Sequence, residues 1–379
     1  MLAIHRVFQM IFGIIVSATV LYFLISYSSM YQHGQQNMQR ADILKVFAED
    51  ARLVYVTGIP ANFTYFSKYK DLNSCFITAS GKAVPEISCL EADVPDMAVD
   101  TPVLFSPGEQ VFLSRDTLDY GWWKFSSVEA VPDTVFVFNP VGGEEEWSIM
   151  RDIVEHLPDT SGESSLVKIQ FGLCNGNGIE KPCGGGEFCS RDEFLVAIRQ
   201  ASAYGRCTAR LDGSMRLVTI SQSCASAFAE KDVCTVPPPD PGHYVGNAYI
   251  QGSGKTYVWK DPLDLVALSI GGSEKDEFGK SLGDKIYTYK NAVFMERLSM
   301  ASRIMFWRYQ LILRDMPGDD ETGCRDIYSE LSQVLEGIPH LNDYLDAAQM
   351  GELDGKLSQA KELYGQLVDR GCERSGYGA

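Results

Sequence analysis

Charge is missing from the beginning of this chain. Between Arg6 and Arg40 there is no Asp, Glu, Lys or Arg, and Val7 to Tyr27 reads VFQMIFGIIVSATVLYFLISY. A helix of that length reaches ~30 Å, the depth of a bilayer's hydrocarbon, so the segment reads as a single-pass anchor at residues 7–27. A cleaved secretory signal fits less well. The apolar run is too long, and Ser26-Tyr27-Ser28-Ser29-Met30 lacks an A-x-A-like site.

Other absences narrow the function. No C-x-x-C occurs, and the five histidines (His5, His33, His156, His243, His340) do not cluster with the cysteines, which argues against zinc and dithiol redox chemistry. No G-x-S-x-G is present, which removes one nucleophile motif. Basic residues are outnumbered, 33 against 50 acidic, for a net charge of −17. Nucleic acids and anionic headgroups would be repelled by such a surface, and no nucleic-acid partner is expected.

What is present is ordinary globular material. The 379 residues are 45% hydrophobic and can bury a sizeable core. Ten cysteines, Cys75, Cys89, Cys174, Cys183, Cys189, Cys207, Cys224, Cys234, Cys324 and Cys372, lie after the apolar run. Disulfides account for them best, and those imply an oxidising compartment. The expected orientation is therefore N-terminus cytoplasmic and C-terminal domain extracytoplasmic, at the cell membrane. The charge bias across the span is too thin to decide this by itself.

The expected fold class is α+β: an N-terminal transmembrane helix and stalk, a disulfide-bonded mixed α/β ectodomain and a C-terminal helical module. The expected segments are 1–6 cytoplasmic, 7–27 transmembrane, 28–57 helical stalk, 58–128 β-rich and 129–236 α/β with six cysteines. Strands after a Pro-rich joint (237–285), a helical module (286–372) and a tail (373–379) follow. The stalk carries an apolar stripe, Ile43, Val46, Phe47 and Val54, near helical spacing, with a break expected at Gly34 and an end at Gly58-Ile59-Pro60. That stripe must be covered, by the chain's own outer domain or by a partner copy.

Short aromatic and β-branched runs from Asn62 to Phe125 predict small hairpins, with Cys75 bridged locally to Cys89. Asn62-Phe63-Thr64 is the one N-x-[ST] sequon and a candidate glycosylation site. Thr134–Phe138, Leu166–Phe171 and Arg216–Ile220 alternate with helical patterns over Glu144–His156 and Asp192–Tyr204, a β-α-β-α-β order that suits a partly parallel sheet. The six cysteines from 174 to 234 allow 15 pairings, which spacing leaves open. Pro237-Pro238-Pro239-Asp240-Pro241 reads as an extended joint. Helices are expected over Tyr289–Arg314, Cys324–Glu336 and Leu341–Arg370, with Cys324 paired to Cys372 and a bend at Gly351 or Gly355.

Several motifs invite chemistry and give way to simpler readings. Gly252-Ser253-Gly254-Lys255-Thr256 lacks the earlier glycine and the following helix of a P-loop, so a hairpin turn is expected. Glu144, Glu145 and Glu146 complement a helix dipole better than they mark a cation site. His156, near Asp152, Glu155 and Ser148, fits a helix C-terminal partner, and Trp122-Trp123 fits a core role ahead of sugar stacking. No catalytic residue, metal ligand or cofactor is assigned.

The uncharged N-terminal helix beginning Val7-Phe8-Gln9-Met10-Ile11-Phe12-Gly13, with its amphipathic stalk and a helical end bounded by Cys324 and Cys372, resembles archaeal pilin-like membrane-anchored proteins. It is similar also to single-pass envelope proteins of small symbiotic archaea. The resemblance implies a membrane-anchored structural or binding protein of the cell envelope, pilin-like or adhesin-type, rather than an enzyme. Its partners would be the membrane through residues 7–27 and a protein or second copy through the stalk. The rival expectation is an anchored extracytoplasmic enzyme, a hydrolase assembled from distant loops.

Overall fold

The structure is a computed structural model. It describes residues 2–372 except 69–71, 73–74, 81–83, 90–95, 107, 121–122, 162–164, 177, 184–186, 199–203, 210, 212–214, 223, 225–231, 237–245, 252, 260–261, 273–280, 317–322 and 339–346. For residues 2–14, 76, 78–80, 84–85, 118–120 and 232 only the backbone is described.

One helix, α1 (Leu2–Thr57), runs unbroken for 56 residues, ~84 Å, straight through Gly34. Gly58, at φ +71°, ends it by turning its N–H back to the carbonyl of Val54. The expected membrane span at 7–27 is corrected here. Among the described residues no helix is long and apolar enough to cross a membrane. The described apolar part, from Ile15, is diluted within two turns of Phe23 by Ser26, Ser28 and Ser29, and then by Gln32, His33, Gln35, Gln36 and Asn37. The side chains of the earlier part, Val7 to Ile14, lie outside the described residues.

Among the described residues three sheets follow. The first has order β1-β6-β7-β5, from Ala61–Phe63 (β1), Val111–Tyr120 (β6), Trp123–Pro132 (β7) and Val103–Phe105 (β5). The second is a small meander of Cys75–Ser80 (β2), Val84–Cys89 (β3) and Met97–Ala98 (β4). The third has seven strands: Thr134–Val141 (β8), Ile169–Asn175 (β9), Gly178–Glu180 (β10), Met215–Ser221 (β11), Asp232–Val236 (β12), Gly246–Ile250 (β13) and Thr256–Trp259 (β14). Its order is β10-β9-β8-β11-β12-β13-β14. β9, β8, β11 and β12 are parallel; the helix Glu144–His156 (α2) lies between β8 and β9, and Arg191–Ala197 (α3) between β10 and β11, as crossovers between parallel strands require. β13 and β14 add antiparallel beyond position 237, so one sheet spans both sides of the Pro-rich stretch, itself outside the described residues.

The apolar run Leu263 to Ile270 is a helix, α4 (Pro262–Gly271), buried on every side. Its neighbour is the long α5 (Leu282–Asp315), and α6 (Cys324–Gly337) and α7 (Ala347–Asp369) close the chain. α7 continues through Gly351 and Gly355, and the expected start of this helix, 341–346, lies outside the described residues. All ten cysteines pair: Cys75–Cys89, Cys174–Cys207, Cys183–Cys189, Cys224–Cys234 and Cys324–Cys372. The first and last match expectation. The other three resolve the 15 alternatives: Cys174–Cys207 and Cys183–Cys189 bracket the glycine-rich segment after β9, and Cys224–Cys234 ties the segment after β11 to β12.

α4 and α5 share a buried ion pair, Asp264 with Lys290, both almost without solvent access. Such a pair gains little net stability, because desolvation offsets attraction, yet losing one partner strands a charge. Asp264→Ala is therefore expected to destabilise the protein by about 3–5 kcal/mol in urea unfolding. Asp264→Leu combined with Lys290→Met should recover most of that loss. A single variant within about 0.5 kcal/mol of wild type would contradict the assignment.

Candidate functional site

The C-terminal half of α1 is a docking stripe. Ile43, Leu44, Phe47, Ala51 and Val54 recur at helical steps, and all are buried against the first sheet. Phe47 sits in an aromatic cage, its ring 5.3 Å from Phe63, 5.4 Å from Phe66 and 5.1 Å from Phe105. Lower down, Tyr55 takes the guanidinium groups of Arg115 and Arg297 at 5.9 Å each, and Arg297 also donates to the carbonyl of Ser126. Of the expected stalk stripe, Ile43, Phe47 and Val54 are thus covered by the chain's own outer domain. Val46 stays exposed, at a groove of about 440 Å³ lined with Gln39, Asp42, Ile43, Tyr65 and Lys68.

Above this root the helix is bare. Every residue from 15 to 36 is exposed, a length of ~33 Å. Val20, Leu21, Tyr22, Phe23, Leu24 and Ile25 are consecutive and each at least half exposed. At 100° per residue they circle the helix more than once, so no single face is apolar and no single flat partner could cover it. Tyr27 stacks on Tyr31 at 6.5 Å, one turn on, and both rings remain in solvent.

The places where α/β sheets bind ligands are occupied by the chain itself. Between β8 and β11 the strand order reverses, and the loop Val141–Glu144 leads into the N-terminus of α2. Glu146 folds back there and accepts from the N–H of Gly143 at 2.8 Å, while Glu144 and Glu145 remain in solvent. A carboxylate already fills the position an anion would take. Asn139, at the end of β8, donates to the carbonyls of Cys174 and Gly205 and accepts from the N–H of Cys207, which clamps one disulfide to the sheet. Ser253, Gly254 and Lys255 form the β13–β14 turn, and Lys255 pairs with Asp284 at 2.9 Å. Gly252 is outside the described residues.

A cluster of titratable groups joins the first sheet to α2. His156 Nδ1 lies 2.8 Å from the carboxylate of Asp116. Close to Asp116, Glu129 is 0% exposed, and neither of its carboxyl oxygens has a hydrogen-bond partner among the described residues. Burial first, and the charge of Asp116 second, push the Glu129 carboxyl well above its ordinary range. No substrate could touch a carboxyl so enclosed. Ser148 is two turns from His156 along α2, ~12 Å, and does not join it. Among the described residues no group of three or more His, Cys, Asp or Glu could hold a metal ion. The sequon residue Asn62 accepts from the N–H of Leu166, tying β1 to the segment before β9. Trp123 packs partly against the core, and Trp122 is outside the described residues.

Comparison with protein-family models, curated proteins and solved structures finds no match. The site therefore rests on geometry alone, and the bare half of α1 is its leading feature. Sequence spacing pointed to the stripe on the other half. The missed signal was the run Val20–Ile25 itself, whose apolar side chains were assigned to lipid.

Glu129 gives a prediction of definite sign. A folded carboxyl held above its unfolded pKa keeps a proton that the unfolded chain releases near pH 4.5. Stability is therefore expected to fall as pH rises from that point towards the folded pKa, with a slope of at most about 1.4 kcal/mol per pH unit. Glu129→Gln stays neutral in both states. Thermal melts from pH 4 to 8 should show the variant gaining on wild type as pH rises, and a pH-independent difference would refute the assignment.

Proposed function

We propose that this protein is an extracytoplasmic structural component that assembles with copies of itself through the projecting half of α1, in a pilin-like manner. The observation that carries this is the uncharged helix, exposed around its whole circumference from residue 15 to 36, on a root locked into a folded domain. Each large apolar side chain removed from water gains about 1.5–3 kcal/mol, so a row of them is a strong drive to association. Several neighbouring helices would surround such a surface where one flat protein would not. Five disulfides support a place outside the cytoplasm. The closed strand-end crevice and the inaccessible Glu129 favour a structural role over the enzymatic alternative.

The test uses the full chain without detergent. Wild type is expected to form oligomers or filaments at micromolar concentration by light scattering and electron microscopy. Leu21→Glu with Leu24→Glu should weaken association by about 100-fold or more, since each buried carboxylate costs several kcal/mol. A wild-type chain that stays monomeric, or that leaves solution for lipid vesicles, would overturn the reading.

A further inference from the structure

The second exposed apolar surface lies on α5. Its buried face, Phe294, Leu298 and Tyr309, packs into the core, but Met300, Ile304, Trp307 and Leu311 face solvent at 59%, 61%, 64% and 52% exposure. Their spacing of four, three and four residues is the a/d repeat of a coiled-coil seam. Trp307 is braced edge-on by Phe306 at 5.4 Å, so it stands as a fixed knob on the helix surface. Arg303 and Arg308 flank the seam.

The bare part of α1 carries the same repeat. Val20, Leu24, Tyr27, Tyr31, Gly34 and Met38 follow steps of four and three, and the five side chains among them are all more than half exposed. Nothing lies within 4 Å of where a Cβ would stand on Gly34, so this seam has an open hole. We infer that the α5 seam of one copy receives the α1 seam of a neighbouring copy, with Trp307 as the knob at a small-residue gap such as Gly34. This rests on the self-assembly reading above and names the surface that receives α1.

Charge selects this occupant over a second α5. Pairing α5 with itself would set Arg303 and Arg308 against their own copies, and like charges across a seam oppose association. α1 brings no charge between Arg6 and Arg40, and Gln35, which flanks the seam beside Gly34, offers a side-chain carbonyl that an arginine can donate to. A contact between two different surfaces is heterologous, and it propagates into an open array if the rotation does not close.

A benzophenone photocrosslinker at position 307 of the full chain, in a mixture of 15N-labelled and unlabelled protein, tests the contact. Mass spectrometry is expected to find heavy-to-light crosslinks from position 307 to residues 20–38. Ile304→Glu with Trp307→Glu should weaken association at least 10-fold while leaving far-UV circular dichroism unchanged, since both positions are exposed. Oligomers whose crosslinks join position 307 to another α5, or to any other surface, would overturn this inference and leave self-assembly standing. No oligomers at all would overturn both.

Discussion

The docking of Phe47 and its neighbours onto the first sheet is the constraint on which the rest depends. α1 is 56 residues long, and most helical stability in proteins comes from burying one face. Among the described residues, those from Ile43 to Val54 supply that face, with Phe47 in an aromatic cage built from Phe63, Phe66 and Phe105. Tyr55, between Arg115 and Arg297, fixes the same root from α5 and from β6. From residue 15 to 36 the side chains of this helix are exposed, with no part of the chain among the described residues covering them.

The α/β region shows how a sheet with the strand order of a ligand-binding fold can be closed by its own groups. Glu146 caps α2 from within, Asn139 ties the strand end to the Cys174–Cys207 bridge, and Lys255 is held by Asp284. Each of these three side chains meets the chain itself. Glu129 stands apart, since its surroundings give it burial and a neighbouring negative charge but no donor among the described residues. Its proton is the simplest way for the interface between the first sheet and α2 to avoid an unpaired buried charge.

Two exposed apolar surfaces on one acidic, crosslinked chain are what the proposed directional assembly rests on. The chain carries a net charge of −17, which sets like-charged copies against each other. Against that repulsion the uncharged helix and the seam of Met300, Ile304, Trp307 and Leu311 are the surfaces best placed to join copies. The disulfide Cys324–Cys372 ties α6 to the end of α7 and restricts the unfolded chain.

Local chemistry made much of the fold legible. The hairpin of Cys75 and Cys89, the strands at Thr134–Phe138 and Arg216–Ile220, the α2 helix with its acidic first turn and the terminal helices all follow from periodicity and turn residues within a few positions of themselves. Leu263–Ile270 could not be read that way, because a helix buried on all sides has no polar face to give it a period. The seam on α5 escaped for the opposite reason: that helix has two apolar stripes, and spacing alone does not say which one the core takes. An uncharged N-terminal run, an acidic body and cysteines free of metal-ligand spacing were determined by the sequence itself. Which cysteines pair between 174 and 234, which half of α1 is covered, and that Glu129 is sealed beside Asp116 were decided only by the tertiary structure, since each depends on which distant surfaces meet.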